Sequence, residues 1–135
     1  MEKTFAIIKP RAVMDKHTGD IISMIEKAGF EITGMKKITI SSEQAQDLYV
    51  EHKERSFFGE MVESMTSSPV VVMILSKDNA VRAWRDLMGA TNPADAEQGT
   101  IRAKFGKSIG ENAVHGSDSL QSSEREREIF FKKCS

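Results

Sequence analysis

Val70-Val71-Val72-Met73-Ile74-Leu75 is the longest unbroken apolar run in the chain, set off by Ser67-Ser68-Pro69 before it and Asp78 after it. A strand that alternates apolar and polar residues buries one face; this one is apolar on both, so it belongs in the middle of a sheet covered on at least one side by helices. Upstream of it, Phe58, Met61, Val62 and Met65 fall at i, i+3, i+4 and i+7, the spacing of a helix face. Before that, Ser41-x-x-Gln44 has the form of a capping box opening a helix whose inner face is Ala45, Leu48, Tyr49 and His52. Glu31 to Ile40 reads as a second strand. Gly19 to Ala28 reads as an amphipathic helix with Gly29 just past its end. Thr4 to Lys9 reads as a buried strand closed by Pro10.

Downstream, Asp78 can cap a helix that turns Ala80, Val81, Trp84, Leu87 and Met88 inward and stops at Gly89. From Ala90 to Gly110 the periodicity fails, and Thr91-Asn92-Pro93 and Gln98-Gly99 are turn signals. That stretch reads as a long loop with one short helix at Thr100 to Phe105. Loops of this length inside a compact domain are usually functional. A short strand over Asn112 to His115 and a helix over Ser122 to Phe131 complete the order β-α-β-α-α-β-α-loop-β-α. Four strands with helices between them predict an α/β sandwich of the split βαβ type.

The 135 residues fit one domain, 1–135, large enough to bury a core without metal or disulfide staples. The net charge of −1 argues against strong nucleic-acid binding. The single cysteine, Cys134, excludes an intrachain disulfide and suits a reducing compartment. The apolar run Phe5 to Ile8 is too short for a signal core or a membrane span, which points to the cytoplasm.

The chemistry concentrates at His115-Gly116-Ser117-Asp118-Ser119, where a histidine ends a strand and is followed by glycine and small polar residues. Taken alone this is also what a histidine beside a capped helix looks like. Several cations lack an obvious structural role: Lys9 in an apolar strand, Arg85 between the inward-facing Trp84 and Leu87, and Arg102 and Lys104 in the long loop. Forked and mobile cations of this kind suit an anion site. A neutral imidazole is a competent nucleophile near pH 7, and a carboxylate can fix which nitrogen is free. Glu126 is a candidate for that carboxylate, although Ser123-x-x-Glu126 also fits a capping box. His17, His52 and His115 lack partners at ligand spacing, so no protein metal site is expected.

Asn112-Ala113-Val114-His115-Gly116-Ser117-Asp118-Ser119 resembles the signature of nucleoside diphosphate kinases. So do Thr4-Phe5-Ala6-Ile7-Ile8-Lys9-Pro10, Gly89-x-Thr91-Asn92-Pro93-Ala94-Asp95, Gly99-Thr100-Ile101-Arg102 and Arg55-x-Phe57-Phe58. The similarity runs in order from about Lys3 to Phe131. It implies an α+β sandwich: a ferredoxin-like βαββαβ core whose four-stranded, mostly antiparallel sheet carries additional helices and a long functional loop. It also implies a ping-pong reaction in which a nucleoside triphosphate gives its γ-phosphoryl to His115 and a nucleoside diphosphate takes it.

By that resemblance Glu126 orients the imidazole, Ser117 supports the pair, Lys9 meets the transferred phosphoryl and the sugar hydroxyl, and Tyr49 is a phenol near that lysine. Arg85, Thr91 and Arg102 form the phosphate clamp, Asn112 reads the ribose 3′-hydroxyl, and Phe57 stacks on the base. Mg²⁺ rides on the nucleotide, with Asp118 reaching it at most through water. The resemblance further implies a homo-oligomer, hexamer or tetramer, with the hexamer favoured. Two features depart from the family pattern: Arg11 stands where an acidic residue is usual, and the chain ends at Ser135 where many relatives run on. Two alternatives are an inactive scaffold or nucleic-acid-binding relative, and a kinase passing the phosphoryl to a partner protein's histidine. The complete catalytic set and the net charge weigh against the first.

Overall fold

In the computed structural model, residues 1–109 and 111–131 are described; Cys134 lies outside the described residues. The apolar run at Val70 becomes β3 (Val70–Lys77), flanked by β1 (Glu2–Ile8) on one side and β2 (Glu31–Ile38) on the other. The sheet order is β2-β3-β1-β4, where β4 is Val114–Gly116, and every pairing is antiparallel. This is the ferredoxin-like arrangement, with an all-antiparallel sheet where a mostly antiparallel one was expected.

Both faces of β3 and β1 are covered, which explains why neither strand alternates in polarity. Successive side chains point to opposite faces. Phe5, Ile7, Val70 and Val72 pack on one side against α3 (Ser42–Leu48), α4 (Phe58–Thr66) and α7 (Leu120–Phe130). Ala6, Ile8, Val71, Met73 and Leu75 pack on the other against α2 (Thr18–Lys27) and α5 (Ala80–Met88), with Trp84 fully buried between them. At the start of α3, Ser41 and Gln44 exchange both bonds of the predicted capping box.

Several boundaries differ from expectation for identifiable reasons. Pro10 closes β1 but also opens a short helix, α1 (Pro10–Met14), because a proline at the first helical position lacks only an amide that would be unpaired there. Asp78 does not cap α5. Asn79 takes a left-handed turn ahead of the helix (φ 55°), and the first-turn amide of Val81 donates to the carboxylate of Glu2, 2.8 Å away on β1. The short helix of the long loop is α6 (Ile101–Phe105), capped by Thr100. Helix α7 begins two residues early, capped by Ser119 through the amide of Ser122.

Candidate active site

The strand carrying His115 starts later than its sequence suggests. Ala113 has a positive φ of 74°, and the amide of Val114 donates back to the carbonyl of Asn112 at 2.9 Å, a tight γ-turn at a non-glycine residue. Such a conformation persists only where its surroundings over-determine it. Here they do. The amide of Lys9 donates to the Ala113 carbonyl at 2.8 Å, while the Arg102 guanidinium donates to the carbonyls of Asn112 (3.3 Å) and Val114 (2.9 Å) and to that of Gly89 (3.1 Å). Three consecutive carbonyls beside the histidine are thereby pinned to Lys9, just past β1, and to Arg102 of α6.

His115 pairs with Ile7 of β1 at the sheet edge, and its side chain is 17% exposed. Nε2 lies 3.0 Å from Oε1 of Glu126, and Ser117 donates its hydroxyl to the same oxygen at 2.9 Å. An ionised carboxylate only accepts, so Nε2 carries the hydrogen and Nδ1 keeps the lone pair. The capping-box reading of Glu126 therefore does not hold: Ser123 donates instead to the carbonyl of Lys3, and Glu126 is turned inward with a 5% exposed side chain. The ring of Tyr49, at the end of α3, stands edge-on to the imidazole at 6.0 Å. Burial, and then the charge of Glu126, pushes its phenol above the usual range, so the hydroxyl stays protonated. The ring also lies 6.4 Å from that of His52, and Tyr49 and Lys9 line the same cleft.

Gly116 has a different constraint. Trp84 approaches so closely, donating its indole N–H to the His115 carbonyl at 3.2 Å, that a β-carbon on Gly116 would lie 2.5 Å from the indole ring. Gly116→Ala is expected to overpack this junction and to lower stability by about 1–3 kcal/mol, read as a lower midpoint in urea unfolding with an unchanged slope.

Around the histidine, cations gather on a single open cleft of about 1240 Å³ that is lined by His115, Glu126, Tyr49, Lys9, Arg85, Arg102, Thr91, Asn112, Phe57 and Asp118. Lys9 donates to Oδ1 of Asn112 at 2.7 Å, and Asn112 donates to the Thr91 carbonyl at 3.0 Å. Burial, with Arg102 adding to it, lowers Lys9 to about 8, and burial with Arg85 lowers Arg102 to about 10. Each cation thus makes its neighbour less willing to hold a proton, and an anion entering the cleft relieves them together. Arg85 meets Asp118 at 2.7 Å, but both are largely exposed, so this pair is weak and easily exchanged. Phe57, 41% exposed, stands at the rim with the Arg55 guanidinium 5.8 Å from its ring. Of the four cations that suit an anion site by sequence, Lys9, Arg85, Arg102 and Lys104, Lys104 alone is outside the cleft, exposed on α6. No group of three or more His, Cys, Asp or Glu among the described residues is arranged to hold a metal.

The family model for nucleoside diphosphate kinase matches residues 2–135. A nucleoside diphosphate kinase from Geotalea uraniireducens is 56% identical over 133 residues, covering 98% of this chain and 97% of its own. The chain belongs to the nucleoside diphosphate kinase family. A nucleoside diphosphate kinase from Chlamydia felis is 55% identical, over 98% of this chain and 94% of its own. Among solved structures, the Aquifex aeolicus nucleoside diphosphate kinase superposes with a TM-score of 0.96 at 36% identity, covering 98% of this chain and 96% of that one. A halophilic nucleoside diphosphate kinase from Halobacterium salinarum, in complex with CDP, superposes with a TM-score of 0.94 at 40% identity, covering 97% and 88%. The enzyme is therefore a phosphotransferase acting between nucleotides, and His115 and the cations line the same large cleft. No helix among the described residues is long and apolar enough to cross a membrane.

One residue of the cleft had no signal in the sequence. Arg125 lines it, next in sequence to Glu126, and neighbours in a helix do not face each other, so nothing in the pattern linked the two.

Proposed function

We propose that the kinase works by a ping-pong mechanism through a phosphohistidine at His115, with the whole site carried by the one domain 1–135. The observation that supports this best is the imidazole held by Glu126 on Nε2, opening onto the cleft that Lys9, Arg85 and Arg102 also line. The Nδ1 lone pair attacks the γ-phosphorus of a nucleoside triphosphate in line. The bond from that phosphorus to the bridging oxygen breaks, the diphosphate leaves with the electron pair, and Glu126 stabilises the charge that develops on the ring. A second diphosphate then attacks the phosphohistidine through its terminal oxygen and regenerates the imidazole. Positioning and charge neutralisation dominate such transfers.

Lys9, Arg85, Thr91 and Arg102 hold the phosphates, and Asn112 and Lys9 read the sugar hydroxyls. Phe57 offers a stacking surface that suits any base. Mg²⁺ enters with the nucleotide and neutralises phosphate charge when bound; Asp118, an exposed carboxylate on the cleft, suits contact with it through water. The assembly is a homo-oligomer, a hexamer in preference to a tetramer, and the enzyme is cytoplasmic. The outer edge of β2, which no described strand pairs, and the exposed Met35 on it are compatible with subunit contact.

Incubation with ATP labelled at the γ-phosphate tests the mechanism. Acid-labile, base-stable label on the protein is expected, and its transfer to an added diphosphate should follow. A folded, active enzyme that takes up no such label would overturn the phosphohistidine route.

Lys9 predicts the alkaline behaviour. In the free enzyme it loses its proton as pH rises through about 8, so kcat/KM is expected to fall above that pH. Bound phosphates favour the charged amine, so kcat should hold to higher pH. Rate profiles for both parameters check this; superimposable alkaline limbs contradict it. Unfolded, the same amine titrates at about 10.5. Between 8 and 10.5 the unfolded chain therefore binds more protons, and this group's contribution to stability rises with pH across that window.

A further inference from the structure

Arg11, the residue that departs from the family pattern after Lys9-Pro10, is the centre of an ionic clasp. Its Nε lies 3.1 Å from Oδ2 of Asp15, one helical turn on at the end of α1. Its Nη1 lies 3.8 Å from Oε2 of Glu111, far along the chain. Nζ of Lys107 meets the same oxygen of Asp15 at 3.5 Å. Arg11 first, and Lys107 after it, hold the Asp15 carboxyl below its usual range. Lys107 and Glu111 are also joined through the backbone, where the Lys107 amide donates to the Glu111 carbonyl at 2.9 Å. The Glu111 amide donates in turn to the carbonyl and the hydroxyl of Ser108, both at 3.2 Å. Two side chains one turn apart on α1 thus grip both residues.

One such pair alone would contribute little, because all four side chains are partly exposed. Charges of alternating sign that share partners act together, and this set has a short lever on the site. Glu111 is followed directly by Asn112, whose side chain accepts from Lys9 and donates to the Thr91 carbonyl. Ser108, Ile109 and Glu111 line the cleft, whereas Arg11 lies outside it. Arg11 can therefore act on a bound nucleotide only through the residues it holds or through its charge.

We infer that Arg11 is a positioning residue for nucleotide binding: by tying Glu111 to α1 it fixes the side chain of Asn112 where the sugar hydroxyls arrive. This rests on the reading of Asn112 as the residue that meets the sugar. Loosening the clasp lets Asn112 drift from that place and costs affinity, while His115 and Glu126, which the clasp does not touch, keep their geometry.

Charge reversal tests this. The Kd of a nucleoside diphosphate, and of its analogue lacking the sugar hydroxyls, is measured by titration of the wild type, Arg11→Glu, Glu111→Arg and the double variant, together with kcat at saturating nucleotide. Arg11→Glu places three carboxylates together and should raise the Kd of the ordinary diphosphate about threefold to fivefold, with kcat close to that of the wild type. In the presence of Glu111→Arg the same change should no longer raise Kd, because the pair is restored with its signs exchanged. An unchanged Kd for Arg11→Glu, or an equal penalty with and without Glu111→Arg, overturns the inference. The analogue separates positioning from simple attraction of the phosphates. Its Kd should rise less than that of the ordinary diphosphate, and an equal rise for both ligands overturns the route through Asn112. Should Arg11→Glu not fold, Lys107→Glu carries the test, since it repels Asp15 and should raise Kd in the same selective way; an unmoved Kd there overturns the idea. The wild type is the control: equal affinity for the two ligands would refute the sugar contact of Asn112 rather than the clasp.

Discussion

His115→Asn is expected to take up no phosphoryl group from γ-labelled ATP and to exchange phosphate between nucleotides at least about 10⁴-fold more slowly than the wild type, as when an enzyme loses its covalent nucleophile. The cations of the cleft are untouched by this change, because Lys9 is held by Asn112 and Arg102 by backbone carbonyls, neither of which involves the imidazole. Nucleotide affinity should therefore survive, and the loss should fall on kcat. Titration of the variant with a diphosphate, together with the labelling measurement, checks both halves. If exchange persisted at near wild-type rates in the variant, the phosphoryl group would be passing by another route.

Arg102→Leu is expected to be the most damaging single change to the fold around the site. It removes the donor to three carbonyls, those of Gly89, Asn112 and Val114, and leaves them in a largely buried place. Hydrogen bonds to a charged donor in a buried setting are worth about 1.5–3 kcal/mol each, with overlapping effects, so a total loss of about 3 kcal/mol is reasonable. For a chain of this length that is a fall in Tm on the order of 10 °C. The turn at Ala113 also loses its clamp, so activity should drop further than the missing phosphate contact explains. Thermal unfolding and a nucleotide exchange assay read the two effects. Arg102→Lys tests the geometry: a single ammonium cannot span three carbonyls, so most of the stability loss should remain. A melting temperature within about 2 °C of wild type for Arg102→Leu would mean that the clamp is not what holds the turn.

These two substitutions separate the roles of residues that the sequence had grouped together. Residue type and resemblance give Arg85 and Arg102 the same expected role, phosphate binding. Arg85 stands largely exposed with one weak partner, free to swing to a phosphate. Arg102 is buried and already committed to the backbone, so it serves the strand carrying His115 besides its proposed role toward the anion. Residue type could not distinguish them, because the difference lies in which carbonyls the fold brings within reach.

The sequence by itself determined the sheet and its covering. The six-residue apolar run at Val70, the helical spacing of Phe58 to Met65, the capping box at Ser41 and the glycine stops at Gly29 and Gly89 are local signals, and each stands in the structure because local sterics and hydrogen bonding set them. The motif around His115 pointed to the histidine proposed to carry the phosphoryl group. Where local signals competed, tertiary contacts decided. Asp78 lost its capping role because Glu2 reaches α5 from another strand, and the Ser123-x-x-Glu126 pattern gave way because a buried imidazole and the Lys3 carbonyl offered better partners. The strained turn at Ala113, the exclusion of any side chain at Gly116 by Trp84, and the convergence of Lys9, Arg85 and Arg102 on one cleft arise between residues far apart along the chain. No periodicity encodes them, because they depend on how strands and helices stack once the core has formed.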